Sequence, residues 1–163
     1  MKFFTFDLVK KPDSTAVSLK EKQEFDTDYF RLEGPSDIPV FMCKYFSLDE
    51  LVNETAWLVC LNSQMCPVGV MQLSMGSTEC SPCYRNDIYT RVLLMGVTRF
   101  ILVHNHPDGN IWPSMEDSNL TGNLSIGSSM FGLEFLDHII VYSESDYYSY
   151  KEHHYIIESE EGW

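Results

Sequence analysis

A chain of 163 residues with 44% hydrophobic and 13% aromatic residues has the size and balance of one soluble globular domain that buries roughly two-thirds of its unfolded surface. Eleven Lys and Arg against 24 Asp and Glu leave a formal net charge of −13. That charge disfavours nucleic acid as the main partner, and an anionic membrane surface too, because both draw on cationic contacts to phosphate.

Phe3–Val9 is a short apolar run that suits a first strand; Asp7 interrupts it too early for a signal peptide. Residues 10–37 carry many charges with Pro12, Gly34 and Pro35 and are expected to form a loop or weak hairpin. Ser47 with Glu50 three residues on has the capping-box pattern and predicts a short helix toward Glu54. Ala56–Leu61 is a continuous apolar strand, and Val68–Leu73 returns as its hairpin partner after a turn at Asn62-Ser63-Gln64. Ser81-Pro82 reads as an N-cap followed by Pro at the first helical position. Ile88, Val92 and Met95 then mark one helical face, and Gly96 ends it. Phe100–Val103 is the next buried strand. Ser114 opens another helix carrying Leu120 and Leu124, weakened by Gly122 and Gly127 and stopped at Gly132. Leu133–Tyr142 is a last long strand. No stretch approaches the roughly 20 apolar residues of a membrane span.

The five cysteines, Cys43, Cys60, Cys66, Cys80 and Cys83, form an odd set. Without a secretory signal they point to free thiols in a reducing compartment, and the expected localisation is cytoplasmic. Cys80-x-x-Cys83 lacks a second pair at zinc-knuckle spacing, so these thiols are read as small buried hydrophobes.

The chemistry concentrates in "ILVHNHPDGNIWPSMED", residues 101–117. His104 and His106 are i and i+2 in an extended segment and project from one face at the end of a strand, and Pro107 keeps His106 extended. Pro107-Asp108-Gly109-Asn110 reads as a turn, after which Ser114-x-x-Asp117 opens a helix that can fold back over the histidines. Two neutral imidazoles and one carboxylate are a common ligand set for a catalytic zinc with an open fourth position. Such an ion makes hydroxide available near neutral pH. Taken singly, a histidine near a strand end is more often structural or solvated. Ser114-x-x-Asp117 is also a good capping pattern in its own right. Asp137-His138, among Leu136, Ile139 and Ile140, reads as a structural hydrogen-bonded pair rather than a further ligand set. His153-His154 reads as solvated.

His104-Asn105-His106, seven residues, Ser114, two residues, Asp117 resembles the metal signature of JAMM (JAB/MPN+) metalloproteases. The fuller "HNHPDGNIWPSMEDSNLTGNL" looks like the RadC-type branch. "ETAWLVCLN" at 54–62, "GSTECSPCYRNDIY" at 76–89 and "GLEFLDHIIVYSESDYYSYKE" at 132–152 extend the likeness over about residues 34–157. Two departures stand out. Tyr84-Arg85-Asn86-Asp87 replaces the family's His-Pro-Arg-Glu, and the roughly 33 residues before the match leave no room for the helix-hairpin-helix module of full-length relatives.

The resemblance implies a single α/β domain over residues 1–157, with 158–163 as an acidic tail. It implies a JAB/MPN-type central mixed sheet flanked by helices, a cytidine-deaminase-like architecture. By position, His104, His106 and Asp117 would be the metal ligands and Zn2+ the cofactor. Glu54 would be the general base and Ser114 an oxyanion donor. The activity implied is hydrolysis of a peptide or isopeptide amide in a peptide or protein substrate. The alternative is a RadC-type accessory or binding module of the same fold without turnover, linked to DNA-related or mobile-element processes.

Overall fold

Two apolar runs of the sequence form the centre of the molecule, and one of them ends in His104. The computed structural model describes residues 2–27, 31–76 and 83–156. Its elements in chain order are β1 (Lys2–Lys10), β2 (Val17–Asp26), α1 (Asp37–Phe46), β3 (Thr55–Leu61), β4 (Pro67–Met75), α2 (Arg85–Met95), β5 (Arg99–Asn105), α3 (Met115–Met130), β6 (Glu134–Val141) and β7 (Tyr147–Ser149). The strands form one mixed sheet in the order β2-β1-β4-β3-β5-β6-β7. β1 runs parallel to β4 and β5 parallel to β6, and the other pairs are antiparallel. The chain is thus a single α/β domain, as the sequence predicts.

β3 and β5 are buried on both faces, which is why they read as unbroken apolar runs rather than alternating ones. One face packs Val59, Ile101, Val103 and Ile139 against Ile38, Phe41 and Met42 of α1. The other packs Leu58, Leu102 and Ile140 against Ile88 and Val92 of α2 and Leu124 of α3. Burying each such side chain contributes about 1.5–3 kcal/mol. Among the described residues no helix is long and apolar enough to cross a membrane.

Three local readings need correction. Residues 17–26, expected as loop or weak hairpin, form a full edge strand paired along β1. Their Lys and Glu residues (VSLKEKQEFD) mask the strand pattern and are what an exposed edge carries to discourage further pairing. Helix α1 has no counterpart in the predicted elements. Ser47 closes α1 instead of opening a helix: it is left-handed (φ 48°), its N–H bonds Cys43 O at 2.9 Å, and its side chain makes no cap. Only a single 3-10 turn follows, at Leu48–Glu50. Helix α3 agrees with the expected start at Ser114 and stop before Gly132, and it runs through both glycines. At Gly127 a Cβ would lie 2.5 Å from the Tyr89 hydroxyl, so glycine there permits the close approach of α2 to α3. Ser81 and Pro82 lie outside the described residues; the helix begins at Arg85 after the extended Tyr84 (φ −104°, ψ 130°), which holds the N-cap position, and Gly96 ends it with φ 69°.

Candidate metal centre

β5 ends at the edge of a cleft of about 1340 Å³, and His104 and His106 line it. Leu102 and His104 share the face that packs on α3, so alternation brings His106 to the same side. The loop behind them is fixed by its own chemistry. Gly109 adopts φ 82° and its N–H reaches His106 O at 3.1 Å, a conformation that favours glycine. Ser114 then caps α3. Its Oγ accepts from Asp117 N at 3.1 Å, and its N–H and O–H both donate to Asp117 Oδ2, at 2.9 and 2.6 Å. Capping box and carboxylate placement are one structure: Ser114 immobilises Asp117 with Oδ1 toward the histidines.

The resulting distances are short. His104 Nε2 lies 2.9 Å from His106 Nε2 and 3.5 Å from Asp117 Oδ1, and His106 Nε2 lies 3.9 Å from Asp117 Oδ2. These separations bracket the ~3.3 Å edge of a tetrahedral site with bonds of about 2.0–2.1 Å. His104, Asp117 and His138 also offer ligand atoms within 4.8 Å of one another, which makes them a candidate metal-binding group.

Protons can be placed from the partners. His106 Nδ1 sits against the Asn110 carbonyl, which only accepts, so Nδ1 carries a hydrogen and Nε2 is the nitrogen that faces His104 and Asp117. Thr121 donates its hydroxyl to Asp117 O at 2.7 Å and accepts from His138 Nδ1 at 2.6 Å. His138 Nε2 then accepts from His104 Nδ1 at 2.9 Å. His104 Nε2 is left with a lone pair. His104 Nε2, His106 Nε2 and a carboxylate oxygen of Asp117 thus converge, an arrangement suited to a cation among the three.

A proton is a poor candidate for that cation. Burial drives the His104 imidazolium down to about 4, against the pull of Asp117. Burial likewise drives His138 well below the ordinary histidine value. Burial opposes ionisation of Asp117, but the positive charge of His104 where it is protonated, the two Ser114 hydrogen bonds and His138 outweigh it and hold the carboxyl below its usual range. At neutral pH His104 is therefore a neutral imidazole beside an ionised Asp117 carboxylate, the form in which both can bind a divalent metal.

Glu54 reaches the same cleft. Antiparallel pairing sets Ala56, two residues after Glu54, opposite His104, so the end of the ladder delivers both to the cleft that His106 also lines. Fifty residues of sequence separation are closed by one β-ladder. The connection is reinforced by Asn105, which faces away from the histidines and is buried. Its Oδ1 accepts from Thr55 N and Thr55 Oγ1, both at 2.8 Å, and its Nδ2 donates to Asn53 O at 3.1 Å and Leu51 O at 3.4 Å. Asn105 thus ties residues 51–55, Glu54 among them, to the strand that carries the histidines. The sequence reading passed over Asn105; its signal was a strongly polar residue between two histidines at the end of an apolar strand.

Asp137 and His138 separate instead of pairing through their side chains. Asp137 Oδ1 accepts from the His138 backbone N–H at 2.7 Å and from Lys151 N at 3.0 Å, and its Oδ2 accepts from Ser149. Burial pushes this carboxyl up to about 7 against those three donors. Asp137 thereby anchors the C-terminal segment, the structural role expected of it. The His138 side chain points the other way, into the histidine cluster. Both are buried because the sheet is covered on both faces.

Six carboxylates line the cleft: Asp49, Glu50, Glu54, Asp108, Glu116 and Asp117. Tyr84 and Trp112 stand exposed at it, and no Lys or Arg is among the described lining residues. Cys83 lines it too, but burial, its largest cause, pushes that thiol up to about 12, as it does for Cys43 and Cys60. Cys43, Cys60, Cys66 and Cys83 are free, and Cys80 lies outside the described residues.

This geometry has relatives. The UPF0758 protein of Alkaliphilus oremlandii is 29% identical over 140 residues, 85% of this chain and 59% of that protein. The UPF0758 protein of Alkaliphilus metalliredigens is 30% identical over 125 residues, 77% of this chain and 53% of its own length. That of Streptococcus sanguinis is 37% identical over 105 residues, 64% of this chain and 46% of its own. The chain spans about half the length of the curated relatives it matches. The RadC-like JAB domain matches residues 33–155, a span that holds Glu54, both cleft histidines, Ser114, Asp117 and His138. With that match over most of its length, and with a seven-stranded mixed sheet between helices that agrees with it, the chain belongs to the RadC-like JAB domain family.

Proposed function

We propose that the cleft is a zinc-dependent hydrolytic site for a peptide or isopeptide amide bond. The observation that carries this reading is the convergence of His104 Nε2, His106 Nε2 and a capped carboxylate at one cleft. His104, His106 and Asp117 would hold the metal. A zinc ion in such a set supplies a Lewis acid and makes hydroxide available near neutral pH.

The protein's own residues supply the rest. Ser114 fixes Asp117 through the capping box. Its hydroxyl hydrogen points at Asp117 Oδ2, so donation to a developing oxyanion requires that hydrogen to swing away from Asp117 about the Cβ–Oγ bond. Glu54 lies at the cleft wall with the role of moving a proton to the leaving amine. Carboxylates and exposed aromatics without a cationic lining favour a neutral or basic peptide segment, and with the net charge of −13 they disfavour nucleic acid as the main partner. The free buried thiols support a reducing, cytoplasmic setting.

The test is a chelator-sensitive cleavage assay on a library of peptide and isopeptide substrates. Cleavage that stops on chelation and returns with zinc is the expected result. A protein that binds one partner tightly, with and without chelator, and cleaves none of the library would establish the accessory or binding module instead.

A further inference from the structure

The proton assignments at the cleft depend on a residue that neither touches it through a free nitrogen nor belongs to the proposed ligand set. We propose that His138 is a positioning residue that fixes the tautomer of His104. The assignment deepens the metal reading above and rests on it for its consequence, though not for its geometry. His138 is 1% exposed and both its ring nitrogens are engaged: Nδ1 with Thr121 Oγ1 at 2.6 Å, Nε2 with His104 Nδ1 at 2.9 Å. Its ring is stacked on Tyr150, centroids 5.1 Å apart and planes within 8°. Both nitrogens of a ring so clamped are already committed to these partners.

The direction of the chain of bonds comes from Thr121. A hydroxyl has one hydrogen, and that hydrogen goes to Asp117 O at 2.7 Å. Thr121 therefore accepts from His138 Nδ1–H, and His138 Nε2 accepts from His104 Nδ1–H. The only nitrogen of His104 left without hydrogen is Nε2, the atom 3.5 Å from Asp117 Oδ1. Asp117 and Thr121 are i and i+4 on α3, so a single helical turn presents the carboxylate to His104 and the hydroxyl to His138. The links close into a ring of groups from β5, β6 and α3. A ligating histidine whose other nitrogen donates to a fixed acceptor is held in orientation and made more basic, and losing that acceptor lowers metal affinity about 10–100-fold.

The experiment reads the His104 tautomer directly, by long-range 1H–15N correlation on metal-free protein, and zinc affinity separately, by competition with a chromophoric chelator. In the parent, His104 should carry its hydrogen on Nδ1. His138→Gln, whose side-chain oxygen still accepts, should keep that tautomer and stay within about 3-fold of parental zinc affinity. His138→Leu should populate the Nε2–H form and bind zinc about 10–100-fold more weakly. If His138→Leu does not fold, Thr121→Val and Thr121→Ser carry the same comparison, with Val expected to scramble the tautomer and Ser to preserve it. An Nε2–H tautomer in the parent would overturn the assignment. So would zinc-induced shifts showing a His138 nitrogen bound to the metal, or an unchanged tautomer and affinity in both non-accepting variants. A parent with the expected tautomer, responsive to His138 but unable to take up zinc, would sink the metal reading and leave the positioning role standing.

Discussion

Two buried clusters of this molecule are built on opposite physical terms. Beneath α1, Phe3 packs on Phe25 at 4.8 Å, on Phe41 and Tyr45 at 5.2 Å and on Phe46 at 6.3 Å between ring centroids. Under α3, His104 packs on His106 at 4.8 Å and on His138 at 4.9 Å. The centroid distances are similar, but the energetics are not. The aromatic corner gains from area and dispersion, needs no particular orientation of donors, and tolerates substitutions that keep its volume. The histidine cluster buries polar atoms that gain little net free energy even when paired, and each bond fixes the direction of the next. The first cluster makes the sheet stable. The second contributes little to stability beyond what an apolar packing would give, and its order makes sense as preparation for a cation.

That contrast can be tested by breaking one cluster without the other. The largest effect is expected from Glu54→Gln, which keeps size and hydrogen bonding but cannot accept a proton. It should fold and bind zinc as the parent does and lose about 10²–10⁴-fold in hydrolysis. Loss of metal in this variant would make Glu54 a ligand, and unchanged turnover would remove it from the chemistry. Phe41→Ala should do the reverse. Phe41 is fully buried, so truncation costs about 3–5 kcal/mol of stability by denaturant unfolding, with zinc affinity of the remaining folded protein unchanged. Asn105→Ala lies between the two regions. It leaves the four groups that Asn105 bonds without their partner and should cost about 1–3 kcal/mol. Its rate loss should fall on kcat, because the Glu54 segment is loosened while the ligands stay. The smallest effect concerns the thiols. With Cys43, Cys60 and Cys83 pushed up to about 12, they are almost wholly protonated at neutral pH, and native alkylation at these three should be slow. All five cysteines of the sequence should react once the chain is denatured without reductant; a Cys80–Cys83 disulfide in fresh protein would contradict this.

Legibility from sequence followed how local each feature is. His104, His106, Ser114 and Asp117 lie within one strand–turn–helix, so spacing and turn chemistry were enough to bring them together as candidates. The unbroken apolar runs of β3 and β5 declared themselves because both sheet faces are covered. Helix α1 was hidden by Pro39 and the β-branched Ile38 and Val40, which read as strand or loop; a proline in the first helical turn loses no hydrogen bond. β2 was hidden because its exposed edge is charged rather than alternating. The roles of Asn105 and His138 were out of reach for a different reason. Each acts across a ladder, Asn105 on residues about fifty positions away and His138 thirty-four positions from His104. The β5–β6 register that sets the second contact includes an irregularity between Phe100 and Ile101. No pattern in a single sequence fixes such a register.

The most direct test of the account is metal content. The protein purified without a tag should hold about one zinc per chain, and His106→Ala, purified and measured alongside it, should retain almost none, because three ligands leave no redundancy. A His106→Ala protein that keeps its full complement of zinc would contradict the proposed ligand set.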